Sequence, residues 1–132
     1  MYKLFTDGGS RGNPGPSAIG GVLYNNNDKI DEFSEYIGIT TNNVAEYTAL
    51  LTGIKLVKKY PKILHIDIYV DSELVVKQLN GQYKINKGLK IFNIYTEIKE
   101  ELKNLNYTIS HVYRDKNKYA DMLVNQALNK RI

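Results

Sequence analysis

Four acidic residues have types and positions suited to holding divalent cations: Asp7, Glu46, Asp71 and Asp121. Asp7 and Asp71 each follow a short apolar run typical of a β-strand, and Glu46 and Asp121 each lie near the start of a predicted helix. Carboxylates that cluster without counter-charges are unstable unless they are protonated or bound to metal. Two Mg²⁺ ions about 3.5–4 Å apart would neutralise such a cluster and would suit in-line displacement at a phosphodiester.

Each acid also has an ordinary structural explanation. Asp7 precedes a stretch rich in glycine and proline, residues 8–16, which by itself is better explained as a tight turn between strands. Asp71 has the position of an N-cap or first-turn acid, and Glu46 fits a capping box. Asp121 is favourably placed near a helix N-terminus. The convergence of all four acids at one edge of one sheet is what favours the metal site.

A sheet and several helices must position these acids, and hydrophobic periodicity predicts both. The predicted strands are residues 2–6, 19–24, 29–40, 64–70 and 107–113. The predicted helices are one that follows residues 40–43 and stops before Pro61, then 72–79, 89–105 and 116–130. Short turns join the first three strands into an antiparallel meander. Right-handed crossovers place strands four and five parallel to strand one, in an α/β fold with helices on both faces.

Length and composition narrow the class of protein. With 132 residues, the chain is expected to be one complete domain, residues 1–132, with a proper core. The absence of cysteine excludes disulfides, zinc–thiolate sites and thiol nucleophiles. No apolar run approaches the ~20 residues of a membrane helix and no signal-peptide pattern opens the chain, so we expect a cytoplasmic protein without a membrane partner. The net charge of +4 is compatible with a polyanionic partner.

Four motifs follow one another along the chain. They are Asp7-Gly8-Gly9-Ser10-x-Gly12-Asn13-Pro14-Gly15-Pro16, Thr41-Asn42-Asn43-x-Ala45-Glu46, Val70-Asp71-Ser72 and His111-Val112-x-Arg114-x-x-Asn117-x-x-Ala120-Asp121. This series resembles type 1 ribonuclease H over essentially the whole chain, although each motif alone is a modest signal. The resemblance implies the ribonuclease H-like fold. It also implies endonucleolytic cleavage of the RNA strand of RNA–DNA hybrids, leaving 5′-phosphate and 3′-hydroxyl ends.

The resemblance also implies roles for single residues. The catalytic acids, which hold two Mg²⁺ or Mn²⁺ ions, are Asp7, Glu46, Asp71 and Asp121. The 2′-hydroxyl distinguishes RNA from DNA, and the substrate-binding residues are Gly8, Gly9, Ser10, Asn13, Thr41, Asn42 and Asn43. His111 and Arg114 are rival candidates for assisting turnover, with an ordinary strand residue as the alternative for His111. His65 has no implied catalytic part. The asparagines are explained equally well as turn or cap residues.

Some positions depart from the family pattern. Larger relatives carry a basic helical protrusion, but residues 81–90 are short and contain only three lysines. Glu73 stands where several relatives have a glutamine that touches the substrate, and Val44 stands where some have a basic residue. No separate hybrid-binding domain is expected. These departures predict a weaker grip on the hybrid and leave catalysis intact.

Other functions on the same fold remain as alternatives. A non-catalytic nucleic-acid-binding domain would be expected to lose one of the four acids, and all four are present. The four motifs argue against a resolvase-like or integrase-like enzyme, and the start at Met1 argues against a reverse transcriptase fragment. We therefore expect a monomeric ribonuclease H whose partner is an RNA–DNA hybrid, with duplex RNA as a second substrate to test.

Overall fold

The strands form one mixed sheet. In the computed structural model, which describes residues 1–87 and 89–131, the strands are β1 (Tyr2–Ser10), β2 (Gly15–Asn25), β3 (Asp28–Thr40), β4 (His65–Val70) and β5 (Asn106–His111). Their order across the sheet is β3-β2-β1-β4-β5. The pairs β1–β2 and β2–β3 are antiparallel, whereas β1–β4 and β4–β5 are parallel. The predicted meander, with strands four and five parallel to strand one, is confirmed.

Helices cover both faces of the sheet, as predicted. They are α1 (Asn42–Val57), α2 (Glu73–Leu79), α3 (Lys90–Leu102) and α4 (Lys118–Lys130). The main core lies under α1, α2 and α3, where Tyr47, Leu50 and Ile54 of α1 are fully buried. On the opposite face α4 packs Val124 in a smaller cluster with Ala18 of β2. Among the described residues, no helix is long and apolar enough to cross a lipid bilayer.

Helix α1 lies very close to strand β1 because glycine occupies the contact on both elements. A Cβ atom on Gly8 would lie 2.3 Å from the carbonyl carbon and oxygen of Ala45 in α1. A Cβ atom on Gly53 of α1 would lie 2.8 Å from the side chain of Thr6 in β1. Distances this short are far below van der Waals contact, so only glycine is compatible with the packing. The close approach brings Glu46, the neighbour of Ala45, against the strand.

Strand β1 continues past its predicted end at residue 6. Its parallel pairing with β4 stops at Thr6–Val70, but its antiparallel pairing with β2 continues to Ser10–Ser17. Asp7 therefore lies inside β1, and the prediction that it ends the strand was wrong. Strand β2 begins at Gly15 rather than at the predicted residue 19, so it pairs with residues 7–10 of β1. The glycines of that segment, considered alone, indicate a turn.

The start of α1 also differs from the prediction. Thr41 is the N-cap residue, since its side-chain oxygen accepts a hydrogen bond from the backbone N–H of Val44 at 3.3 Å. Glu46 therefore lies in the second turn of α1 rather than the first. The capping box predicted for Asn43 and Glu46 was wrong, and the Glu46 side chain is left to face the sheet.

The boundaries of the later elements differ only slightly from the predictions. Helix α4 begins at Lys118, after one 3₁₀ turn at Arg114–Lys116, rather than at residue 116. Ser72 is the N-cap of α2 and not its first helical residue. Two predicted segments reach beyond the described residues, because Gly88 falls in the connection 81–90 and Ile132 ends the predicted domain.

The contact between β1 and α1 yields a stability prediction. Gly8→Ala forces a methyl group into the backbone of Ala45 and should lower the free energy of unfolding by about 3 kcal/mol. Gly9→Ala is the matched control, since its Cβ would meet only the Val124 side chain at 3.3 Å. It should cost about 1 kcal/mol or less. Urea denaturation measures both, and equal losses would contradict this account of the packing.

Candidate active site

Three of the four predicted acids meet at the edge of the sheet where the parallel pairing ends. Asp7 and Asp71 each follow the last β1–β4 pair, Thr6–Val70, and Glu46 reaches them from α1. One carboxylate oxygen from each acid lies within 4.8 Å of the other two. The predicted convergence is therefore observed for Asp7, Glu46 and Asp71.

Asp121, the fourth predicted acid, lies outside this group of three. It is in the first turn of α4. Together with Asp7 and Glu46 it lines a cavity of about 230 Å³, here called the acidic cavity. Its position is supported by Asn125, whose Nδ2 donates to Asp121 Oδ2 at 3.3 Å and to the Asp121 carbonyl oxygen at 3.1 Å. Asp7 and Glu46 thus belong to both arrangements: Asp71 lies close to them but does not line the cavity, and Asp121 lines the cavity from the side formed by α4.

Two of the carboxylates, those of Asp7 and Glu46, are buried at high electrostatic cost. Asp7 and Glu46 are only 7% and 8% exposed. Burial raises the pKa of both groups above the ordinary values of 3.8 and 4.5. Nearby acids raise these pKa values further: Glu46, Asp71 and Asp121 act on Asp7, and Asp71 acts on Glu46, whose pKa the charge of Arg114 lowers. Without a cation, the folded site favours protonated carboxyl groups.

The donor atoms suit a hard divalent cation. Glu46 Oε1 accepts a hydrogen bond from the Gly8 backbone N–H at 3.3 Å. Its second oxygen, Oε2, is buried and has no hydrogen-bond partner among the described residues. An unpartnered buried carboxylate oxygen next to two further carboxylates is a set of ligands that Mg²⁺ and Mn²⁺ prefer.

The two rival candidates for assisting turnover lie in different surroundings. Arg114, in the 3₁₀ turn, lines the acidic cavity. His111 ends β5 and is not among the residues that line this cavity. Its ring contacts Tyr113 edge-on at 5.2 Å. The pKa of the nearby Glu73 is lowered mainly by a hydrogen bond from Lys77, and His111 adds a smaller effect of the same sign. Arg114 therefore borders the cavity that Asp7, Glu46 and Asp121 line, whereas His111 lies outside it.

The predicted substrate-binding residues divide between two cavities. Gly8, Gly9, Ser10 and Asn42 line the acidic cavity. Asn13, Thr41 and Asn43 line a second cavity of about 420 Å³, which Lys90 also borders. Hydrogen bonds join the two groups: the Ser10 N–H donates to Asn42 Oδ1 at 3.0 Å, and the Asn42 N–H donates to Asn13 Oδ1 at 3.1 Å.

Sequence reasoning missed three residues around the acids. Asn117, which is 2% exposed, donates from Nδ2 to the Thr6 carbonyl at 2.9 Å and accepts the Asp121 N–H at its own carbonyl oxygen. It therefore ties the residue before Asp7 to the turn that carries Asp121. Arg11 and Asn125 also line the cavity. Asn117 could have been found from the sequence, because it stands four residues before an acid on a predicted helix. Arg11 could not, because the resemblance gives no role to its position in the first motif.

The chain matches a known protein family over most of its length. Residues 5–127 match the family described as reverse transcriptase-like. A bifunctional protein of Mycobacterium tuberculosis is 36% identical, with 93% of this chain and 34% of that protein covered. Ribonuclease HI of Halobacterium salinarum is also 36% identical, with 95% and 63% covered. The chain thus spans about a third of the mycobacterial relative and less than two thirds of the halobacterial one.

A solved structure agrees closely with the fold. A ribonuclease H1 isolated from compost, crystallised with an RNA/DNA hybrid, superimposes with a TM-score of 0.92 at 37% identity. The match covers 98% of each chain. The likeness is therefore one of sequence as well as of fold.

The raised carboxyl pKa values predict how stability depends on pH and metal. Asp7 and Glu46 bind protons more tightly in the folded than in the unfolded state. Their contribution to stability is full below their ordinary pKa values and is lost as the pH rises through the raised values. The Tm of metal-free protein should therefore fall from about pH 5 to about pH 8, and Mg²⁺ should restore it.

Asp7→Asn serves as the control in this thermal denaturation. Removing one buried charge should raise the Tm of metal-free protein at about pH 8 by about 5 °C and reduce the response to Mg²⁺. A wild-type Tm that responds neither to pH nor to Mg²⁺ would contradict the metal assignment.

Proposed function

This chain belongs to the type 1 ribonuclease H family, and on that premise we propose that it is a metal-dependent endoribonuclease. Its substrate is the RNA strand of an RNA–DNA hybrid, and its products carry 5′-phosphate and 3′-hydroxyl ends. The observation that carries the proposal is the meeting of the Asp7, Glu46 and Asp71 carboxylates within 4.8 Å in a buried site without enough counter-charge.

Asp7, Glu46, Asp71 and Asp121 would hold two Mg²⁺ or Mn²⁺ ions. When bound, such ions supply Lewis acidity that activates water and stabilises the departing 3′ oxygen. The protein's contribution is to fix the ligands in place. The Gly8 N–H orients Glu46, Asn125 orients Asp121, and the close packing of α1 on β1 keeps the acids together.

Recognition of the hybrid falls to the residues around the two cavities. Gly8, Gly9, Ser10 and Asn42 border the acids and would meet the RNA sugar that carries the scissile phosphate, whose 2′-hydroxyl marks it as RNA. From the second cavity, Thr41 would bind a phosphate of the DNA strand, and Asn13 and Asn43 would contact the minor groove and the sugars. The Ser10–Asn42–Asn13 hydrogen bonds hold both sets in a fixed mutual position.

We also propose that residues 1–132 act as a single ribonuclease H domain, as a monomer in the cytoplasm. Light scattering of the purified chain tests the monomer, and fractionation of cells tests the location.

A substrate panel tests the activity itself. With Mg²⁺ or Mn²⁺, the protein should cut the RNA of a labelled RNA–DNA hybrid and leave duplex DNA intact, with duplex RNA included as a third substrate. Asp7→Asn should abolish the cutting, because it removes a charged metal ligand, while circular dichroism shows an intact fold. Cutting by Asp7→Asn at the wild-type rate would contradict the role of Asp7. Binding without cutting would favour a nucleic-acid-binding module.

Substitution of the two candidates for assisting turnover separates their roles. Because Arg114 lines the acidic cavity, Arg114→Ala should lower kcat on the hybrid by about tenfold or more. His111→Ala should lower kcat by less than about threefold. Circular dichroism should show an intact fold for both proteins. A larger kcat loss in His111→Ala would reverse the assignment.

A further inference from the structure

The backbone at Arg11, in the short connection between β1 and β2, is constrained by hydrogen bonding and close packing. Its N–H donates to the Pro16 carbonyl oxygen at 2.8 Å. A Cβ atom on Gly15 would lie 2.2 Å from the Arg11 carbonyl oxygen, so glycine there keeps the connection tight. Gly12 adopts a φ of 99°, which favours glycine as well. The base of the Arg11 side chain is therefore well defined.

The Arg11 side chain lines the acidic cavity and reaches helix α4. Its Nη2 donates to Asn129 Oδ1 at 2.7 Å and lies 3.5 Å from Asn125 Oδ1. Asn125 and Asn129 are four residues apart and so share one face of the helix. Asn125 also donates to Asp121, so the guanidinium is one residue removed from a proposed metal ligand.

The partners of Arg11 leave its charge uncompensated. Both acceptors are neutral amide oxygens. Within residues 1–87 and 89–131, no carboxylate lies within ion-pair distance of the guanidinium. An arginine presents five donors in a planar fork, and Asn129 and Asn125 engage only one of its nitrogens. Further N–H groups thus remain for a partner of negative charge.

We propose that Arg11 binds a phosphate of the nucleic-acid backbone at the mouth of the acidic cavity. The inference rests on the proposed function, because that function brings a polyanion to this cavity. The carboxylates of the site repel phosphates, and a fixed guanidinium at the rim would hold a phosphate next to the scissile one. Asn129 is the positioning residue, since it orders the side chain before substrate arrives.

The salt dependence of binding tests the assignment. Affinity for a fluorescent RNA–DNA hybrid is measured by anisotropy with Mg²⁺ over a range of KCl, in the Asp7→Asn background so that the hybrid stays uncut. Removing one phosphate contact should reduce the slope of log K against log[salt] by about 0.9. In Arg11→Gln we expect that reduction, together with about tenfold weaker binding at fixed salt.

Three further variants separate a phosphate contact from a structural role. Arg11→Lys retains the charge and should keep the slope, with weaker binding because the fork is lost. Asn129→Ala should also keep the slope and weaken binding by about threefold, since the side chain must be ordered on binding. Lys62→Gln removes an exposed charge beyond the end of α1 and should change neither slope nor affinity.

The outcomes distinguish this inference from the proposed function. A hybrid bound by Arg11→Gln with the parental slope and affinity would overturn the assignment of Arg11 and leave the ribonuclease proposal standing. An equal drop in slope for Lys62→Gln would overturn it too, because the effect would be one of net charge. If the wild-type protein cuts no hybrid, the proposed function fails. The same slopes measured with duplex DNA then decide whether Arg11 binds phosphate.

Discussion

The close contact between β1 and α1 is the constraint on which the rest of the structure depends. Gly8 and Gly53 remove the side chains that would otherwise separate the strand from the helix. That contact lets Glu46 in the second turn of α1 reach Asp7, and the Gly8 N–H then fixes one of its oxygens. Packing requirements therefore account for a glycine that the resemblance assigns to substrate binding, and both roles can coexist at one position.

The same contact creates an electrostatic problem that a bound cation would resolve. Burial and mutual repulsion raise the pKa values of Asp7 and Glu46, and Arg114 offsets only part of this effect on Glu46. The charged form of the site is thus unfavourable until divalent ions are present. Hydrophobic packing of α1 against the sheet holds the acids together despite their repulsion. Metal binding and protein stability should accordingly be linked.

Neutral amides, rather than charged side chains, organise the surroundings of the acids. Asn117 joins β1 to the first turn of α4, Asn125 supports Asp121, and Asn42 links Ser10 to Asn13. An amide can donate and accept hydrogen bonds at once, and it adds no charge to a site that already has an excess of negative charge. Under the proposed function, Arg11 and Arg114 would thereby remain available to a polyanionic substrate.

The sequence by itself determined the order of the elements, the sheet topology and the meeting of Asp7, Glu46 and Asp71, because hydrophobic periodicity and motif order can be read along the chain. Only the tertiary structure decided that β1 runs through Asp7, since strand length depends on the distant partner β2. It also separated Asn42 from Asn43, which point about 100° apart on the helix and so face different cavities. The place of Arg11 beside α4 depends on segments more than a hundred residues apart, which no local pattern records.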